Sequence, residues 1–196
     1  MKAIGISGTP GVGKSTVAEL VSKKLGIPRV DLSRVVIERR LYTEFDEVRG
    51  SYVIDEDAVR KYLRDLYSSI GPFVLDSHYA EVAPREILEI VVVIRLDPMK
   101  LIDRLVARGW PMRKIAENVE AELLSVPTLN AVEELGEELV LEIDSTGKNA
   151  EIVASEALSV IFGDLPIELG HRIDWLSQLP PERLERVLRF IETHRG

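Results

Sequence analysis

The sequence predicts an α/β fold: a five-stranded parallel sheet with helices on both faces and an extra helical segment at the C-terminus. Three observations predict it. Short runs such as Phe73-Val74-Leu75 and Ile90 to Ile94 are apolar throughout rather than alternating, as strands buried on two faces must be. Strands alternate with stretches of helical periodicity along the chain, the rhythm of parallel strands joined by crossovers. The first such junction is a glycine-rich turn, Gly8-Thr9-Pro10-Gly11-Val12-Gly13-Lys14-Ser15.

The elements follow in order. Ala3 to Ile6 reads as the first strand, and Ser15 to Leu25 as a helix with Val17, Ala18, Leu20, Val21 and Leu25 on its apolar side, closed by Gly26 and Pro28. Val30-Asp31-Leu32 is a short second strand. The charged stretch from Ser33 to Arg49 is helical in its first half and a loop after Tyr42. Asp55 opens a helix carrying Val59, Tyr62, Leu63 and Leu66 on one face, ended by Gly71-Pro72. Phe73 to Leu75 is a buried strand ending at Asp76, and Ile90 to Arg95 is another, rich in β-branched residues. Asp97-Pro98 caps and starts a helix that Gly109 stops. Arg113 to Leu124 is helical, Leu139 to Ile143 a strand, and Asn149 to Phe162 helical. Pro180-Pro181 opens a last helix with Leu184, Val187, Leu188 and Ile191 on one face, either docked on the core or offered to a partner. The expected organisation is a main domain over residues 1–162 and a helical extension over 163–196.

Composition narrows the function classes. The chain has 196 residues, 45% hydrophobic and 30% charged, which suits a globular core. A net charge of −8 supplies no global basic field for non-specific nucleic-acid binding. The absence of cysteine removes disulfides, thiolate metal sites and thiol nucleophiles. No apolar run is long enough to span a bilayer and the N-terminus lacks a signal-peptide pattern, so a cytoplasmic enzyme without a membrane partner is expected.

The glycine-rich turn fits G-x-x-x-x-G-K-[ST] completely and lies between a strand and a helix, the context that motif requires. The fold therefore reads as a P-loop NTPase core binding ATP and Mg²⁺. Gly11 and Gly13 let the backbone curl so that successive N–H groups face phosphate oxygens, reinforced by the positive end of the helix. Lys14 is expected to bridge the β- and γ-phosphates, Ser15 to ligate Mg²⁺ and Thr16 to bond the α-phosphate. Asp76, at the carboxyl end of a strand, is the second expected metal residue, acting through a coordinated water. His78 is read either as a structural histidine or as a residue near the γ-phosphate that positions an attacking water or senses the nucleotide.

Phosphoryl transfer gathers negative charge that cations must cover. Arg95, at a strand end, and Arg104 and Arg108, four apart on one helix face, are the candidates, each alternatively a solvated charge. Arg85 after Pro84 is a weaker candidate for holding an acceptor phosphate. Glu44, Asp46 and Glu47 form either a solvated loop or an acidic face for a basic partner. Trp110 serves packing or adenine stacking.

The P-loop, Asp76-Ser77-His78, Leu41-Tyr42 with Ile54-Asp55-Glu56-Asp57, and Arg108-Gly109-Trp110 with Asn118 and Glu122 together resemble the adenylate kinase isoenzyme 6 type. These are small adenylate kinase-like ATPases of archaea and eukaryotes. The resemblance spans roughly residues 2 to 160. It implies a nucleoside monophosphate-binding region at about Asp31 to Ile54 and a short lid at about Ala107 to Glu117, whose arginine, Arg108 here, contacts ATP. It implies reversible phosphoryl transfer from ATP to AMP or related monophosphates beside a slower ATPase. Taken together with the motif reading, the expected catalytic set is Lys14, Asp76, His78 and Arg108. The resemblance also implies a small-subunit platform ribosomal protein and the pre-ribosomal small subunit as partners, late in small-subunit rRNA maturation. Two departures stand out: Ile37 occupies the place of an arginine expected after the second strand, with Arg34, Arg39 and Arg40 nearby, and the tail from Gly163 exceeds the compact family pattern. The readings carried forward are a nucleoside monophosphate kinase, an assembly ATPase acting as a switch, and another small-molecule kinase such as one for shikimate or gluconate.

Overall fold

The protein is described by a computed structural model over residues 1–47, 50–163 and 168–195. Arg49, at the end of the charged stretch, and the first residues of the tail after Gly163 lie outside the described residues.

The five-stranded sheet forms as expected. Its strands are β1 (Ala3–Ser7), β2 (Arg29–Asp31), β5 (Val74–Asp76), β6 (Leu88–Arg95) and β7 (Val140–Asp144), in the order β2-β5-β1-β6-β7 and parallel throughout. The period-two alternation of side chains sends Ile4, Ile6, Val92 and Ile94 into one apolar layer, and Ala3, Leu75, Val91 and Val93 into the other. Both layers are covered. α1 (Lys14–Leu25), α4 (Pro98–Ala107), α5 (Met112–Leu123) and α7 (Ala150–Ile161) close the first, and α2 (Leu32–Arg39), α3 (Glu56–Ile70) and α6 (Val126–Leu135) the second. Two buried faces are why the strands read as uninterrupted apolar runs.

Register fixes what meets at the carboxyl edge of the sheet. Ile6 of β1 pairs with Asp76 of β5, and Asp31 of β2 pairs with the same Asp76. The turn after Ser7 therefore leaves the sheet beside both carboxylates.

Three elements depart from the sequence expectation. The segment after Tyr42, expected as a loop, is an antiparallel hairpin of β3 (Tyr42–Asp46) and β4 (Ser51–Ile54). Most of its residues are exposed, so neither face supplies the alternation by which strands are recognised. Its hold is aromatic instead: the Tyr42 and Tyr52 rings lie 4.3 Å apart and Phe45 and Tyr52 5.0 Å apart. Helix α6 was hidden by Pro127, which looks like a breaker but stands in the first turn, where its missing N–H costs nothing. Ser125 makes the corner between α5 and α6 with φ of 56°. The third is a four-residue helix, α8 (Trp175–Gln178).

The tail docks on the core. α9 (Pro181–His194) sends Val187 and Ile191 into the first apolar layer together with Trp175 and Leu179, each under a tenth exposed. Burial of one such side chain contributes about 1.5–3 kcal/mol. Arg183 adds an ion pair at 2.7 Å to Asp97, the cap of α4.

Candidate active site

The cradle begins with backbone geometry. Gly8, Gly11 and Gly13 have φ of +133°, +101° and +110°, a region side-chain-bearing residues avoid. Space is as restrictive as angle: a Cβ on Gly8 would lie 2.4 Å from the Ile94 carbonyl oxygen, and one on Gly11 2.8 Å from Leu105. Gly13 occupies the N-cap of α1 and no side chain caps that helix, so its first-turn N–H groups are available to an external anion.

Lys14 is half-buried within electrostatic reach of Asp76, Asp31 and Arg108. Its pKa is lowered, chiefly by desolvation, and the two aspartates oppose that shift. Ser15 and Thr16 follow on the exposed first turn. Asp76 is 4% exposed. Its Oδ2 accepts from Arg29 Nε at 3.1 Å and from Arg29 Nη2 at 2.5 Å, whereas Oδ1 is buried without a partner. A buried carboxylate oxygen with no donor suits a hydrated cation. Among the described residues no three His, Cys, Asp or Glu side chains converge as a metal cage. A magnesium ion here would take Ser15 and Asp76 from the protein and its remaining oxygens from phosphate and water, the usual arrangement for that ion.

His78 stands just past β5, its ring 4.3 Å from that of Tyr79. Burial, then the nearby Lys14 ammonium, push its pKa down to about 4, with Asp76 opposing. The imidazole is therefore neutral throughout the ordinary range and able to accept a proton or orient a water. It lines two cavities. One, of about 260 Å³, lies between α2 and β4 and is walled by Val36, Ile37, Tyr52, Ile54 and Ser77. The other, of about 340 Å³, lies beside the Thr9-Pro10 end of the phosphate loop, against Trp110, Lys114, Asn118 and Asn130.

The arginines divide. Arg104 donates to the Val12 carbonyl at 2.9 Å, bracing the phosphate loop from α4. Arg108, at the end of that helix, is exposed, and its charge reaches Lys14. Arg95 is corrected from candidate clamp to internal scaffold. It is fully buried, bonds Glu122 from Nε at 2.8 Å, pairs with Glu142 from Nη1 and donates from Nη2 to the Glu122 carbonyl and Ser125. Arg85 is turned away to the Leu135 carbonyl and Glu138. Arg34 pairs with Glu38, and Arg39 sits 6.0 Å from the Tyr62 ring centre, so neither lines the 260 Å³ cavity where Ile37 does. Trp110 packs against the first core layer and also lines the cavity beside the phosphate loop, so both of its readings retain a contact.

Sequence reasoning missed Arg29 and the way Glu122 works. Fully buried, Glu122 accepts from Thr9 Oγ1 at 2.6 Å, the Leu96 N–H at 3.0 Å and Trp175 Nε1 at 3.1 Å, besides Arg95. One carboxylate thus ties the phosphate loop, the end of β6 and the C-terminal tail together. The sequence signal was available: a glutamate on the apolar face of α5, between Val119 and Leu123.

A parallel sheet with this strand order and a glycine cradle at its carboxyl edge defines the P-loop kinase class of fold. Shikimate kinase from Bacteroides thetaiotaomicron shares it, with a TM-score of 0.55 at 17% identity over 83% of this chain and 98% of that one. Residues 4–125 match the AAA domain family. Proteins from Saccharolobus islandicus and Thermococcus onnurineus, each named "Putative adenylate kinase", are 37% and 35% identical over 190 and 188 residues, covering 96% of each chain in both comparisons. The chain belongs to this family of AAA-domain proteins. Such coverage reaches well into the C-terminal tail, so the segment from Gly163 is shared with these relatives and is no departure from them. No helix among the described residues is long and apolar enough to cross a membrane.

Proposed function

We propose that the protein is a nucleoside monophosphate kinase of the adenylate kinase type, transferring the terminal phosphoryl group of ATP·Mg²⁺ to AMP or a related monophosphate, with a slower ATPase activity. The observation that carries this reading is the double position of His78, which lines both the cavity beside the Thr9-Pro10 end of the phosphate loop and the smaller cavity under the hairpin. In this reading the donor triphosphate lies on the loop with Lys14 on its β- and γ-phosphates, Ser15 and Asp76 on the metal, Thr16 on the α-phosphate and Arg108 closing from the lid side. The acceptor occupies the space between α2 and β4. Magnesium would supply charge neutralisation of the transferring group; the protein's own part is positioning and exclusion of water. The relatives' names and the motif set around Asp76-Ser77-His78 support the same assignment.

The motif resemblance further supports an isoenzyme 6-type role in late small-subunit rRNA maturation, with a small-subunit platform ribosomal protein as partner. The decisive experiment is ADP formation from ATP alone against ATP with AMP, CMP, UMP, dAMP or shikimate. Strong stimulation by one or more monophosphates and none by shikimate is the expected result; equal rates in every mixture would refute the kinase assignment.

A second reading, an assembly ATPase with little transferase activity, is favoured by one observation: no arginine lines the 260 Å³ cavity among its described residues. His78→Ala bears on both readings. It is expected to lower ATP hydrolysis about 10–100-fold and phosphoryl transfer to AMP far less, as loss of a water-positioning group would. Equal losses in the two reactions would remove that role. With the imidazole pKa near 4, any inflection of the wild-type hydrolysis rate at pH 6–7 should persist in a His78→Asn variant.

A further inference from the structure

A third cavity, separate from the phosphate loop, lies between the β3–β4 hairpin, α3 and α6. Its volume is about 490 Å³, and it is bounded by Glu56, Glu81, Glu133 and Glu134, with Arg60 the one basic residue among the described residues lining it. Arg60 is already engaged, 3.2 Å from Glu134 and 3.6 Å from Glu56. Glu81 is 6% exposed, and its Oε2 is buried with no partner. An uncompensated buried carboxyl is costly, and a nearby cation would relieve it. A nucleoside monophosphate does not fit this charge, because among the described lining residues its phosphate would meet carboxylates and a single arginine already paired with two of them.

A simple metal ion does not fit either. No three carboxylates among the described residues converge to coordinate one; the negative charge is spread along the walls. Tyr52 and Tyr79, 39% and 46% exposed, also line the cavity and offer aromatic faces to an ammonium group. Spread charge, aromatic walls and one buried orphan oxygen fit an extended ligand with several amines better than a point charge.

We propose that this cavity binds a linear organic polycation of the polyamine class, with one ammonium group on Glu81 and the others along Glu56, Glu133 and Glu134. The ligand would also touch the hairpin, since Ser51, Tyr52, Ile54 and Tyr79 line this cavity and the acceptor-side cavity alike. Binding is coupled to a proton. Burial, then Glu134 and Glu56, raise the Glu81 pKa to about 7, with a hydrogen bond to its own backbone and the more distant Arg60 charge opposing. The carboxyl is therefore largely neutral at pH 6 and must release its proton to meet an ammonium ion.

Calorimetry with spermidine alone, without nucleotide and at physiological salt, tests this. One site is expected, with affinity about tenfold higher at pH 8 than at pH 6 and proton release visible as a buffer-dependent heat at pH 6. Glu81→Gln should weaken binding at pH 8 and abolish the pH dependence. The rim double variant Glu133→Gln/Glu134→Gln should weaken it as well, which keeps the test available if the buried substitution misfolds. Glu182→Gln, on exposed α9, should change nothing. Absence of a saturable heat would overturn the proposal, as would equal loss of binding in the Glu182 and cavity variants, which would indicate diffuse attraction to an acidic protein. A lysine-containing peptide that binds where spermidine does not would overturn the free polyamine in favour of a protein side chain. None of these outcomes depends on phosphoryl transfer.

Discussion

Glu122→Ala is expected to lower the unfolding free energy by about 3–5 kcal/mol, the range found when one partner of a buried ion pair is removed. The carboxylate is fully buried and accepts four hydrogen bonds, from Arg95, the Leu96 backbone, Trp175 and Thr9. Its removal leaves Arg95 with Glu142 as its remaining ionic partner, and strips acceptors from an indole N–H and a backbone N–H that water does not reach. Glu122→Gln should cost less, because it keeps the volume and one acceptor oxygen. Denaturant titration at neutral pH checks both. A loss below about 1 kcal/mol for the alanine variant would mean that the network rearranges without penalty. Because Thr9 belongs to the phosphate loop, the same variant should bind a non-hydrolysable triphosphate more weakly than its stability alone explains.

The other large effect concerns chemistry rather than stability. Lys14→Ala should reduce turnover by at least about 100–1,000-fold, the scale seen when a preorganised charge on a reacting oxyanion is lost. Lys14 follows directly on the cradle glycines, and the charges that act on its ammonium group are those of Asp76, Asp31 and Arg108. Its pKa is lowered by burial, so removing the side chain relieves a desolvation penalty and the fold should survive. Steady-state ADP formation with the best acceptor, measured alongside a thermal melt, separates loss of function from loss of structure. A folded variant turning over at the wild-type rate would remove Lys14 from the reaction.

How much of this was legible in the sequence depended on how local the cause is. The glycine cradle and the helix behind it are written in eight consecutive residues, and the strand ending at Asp76 declares itself by a short apolar run before a carboxylate. Those patterns need no knowledge of the tertiary structure. Arg29 on Asp76, by contrast, follows from the β2–β5 register, which brings together residues 47 positions apart. Arg95 misled for a related reason: its position at a strand end matches a clamp residue, and only the packing of α5 and β7 on that end reveals two buried carboxylates waiting for it. The hairpin was illegible because most of its residues are exposed and show no buried face in the sequence, while Tyr42 and Ile54 meet the second core layer only through tertiary packing.

The bond from Trp175 to Glu122, and onward from Glu122 to Thr9, has a consequence for biogenesis. During synthesis the cradle emerges first, but the carboxylate that anchors it comes 113 residues later and the indole that completes the anchor a further 53. A nascent chain therefore carries the whole glycine motif, and the Arg104 brace on Val12, before it carries this second anchor. The full set of bonds on Glu122 can form only after Trp175 has been made.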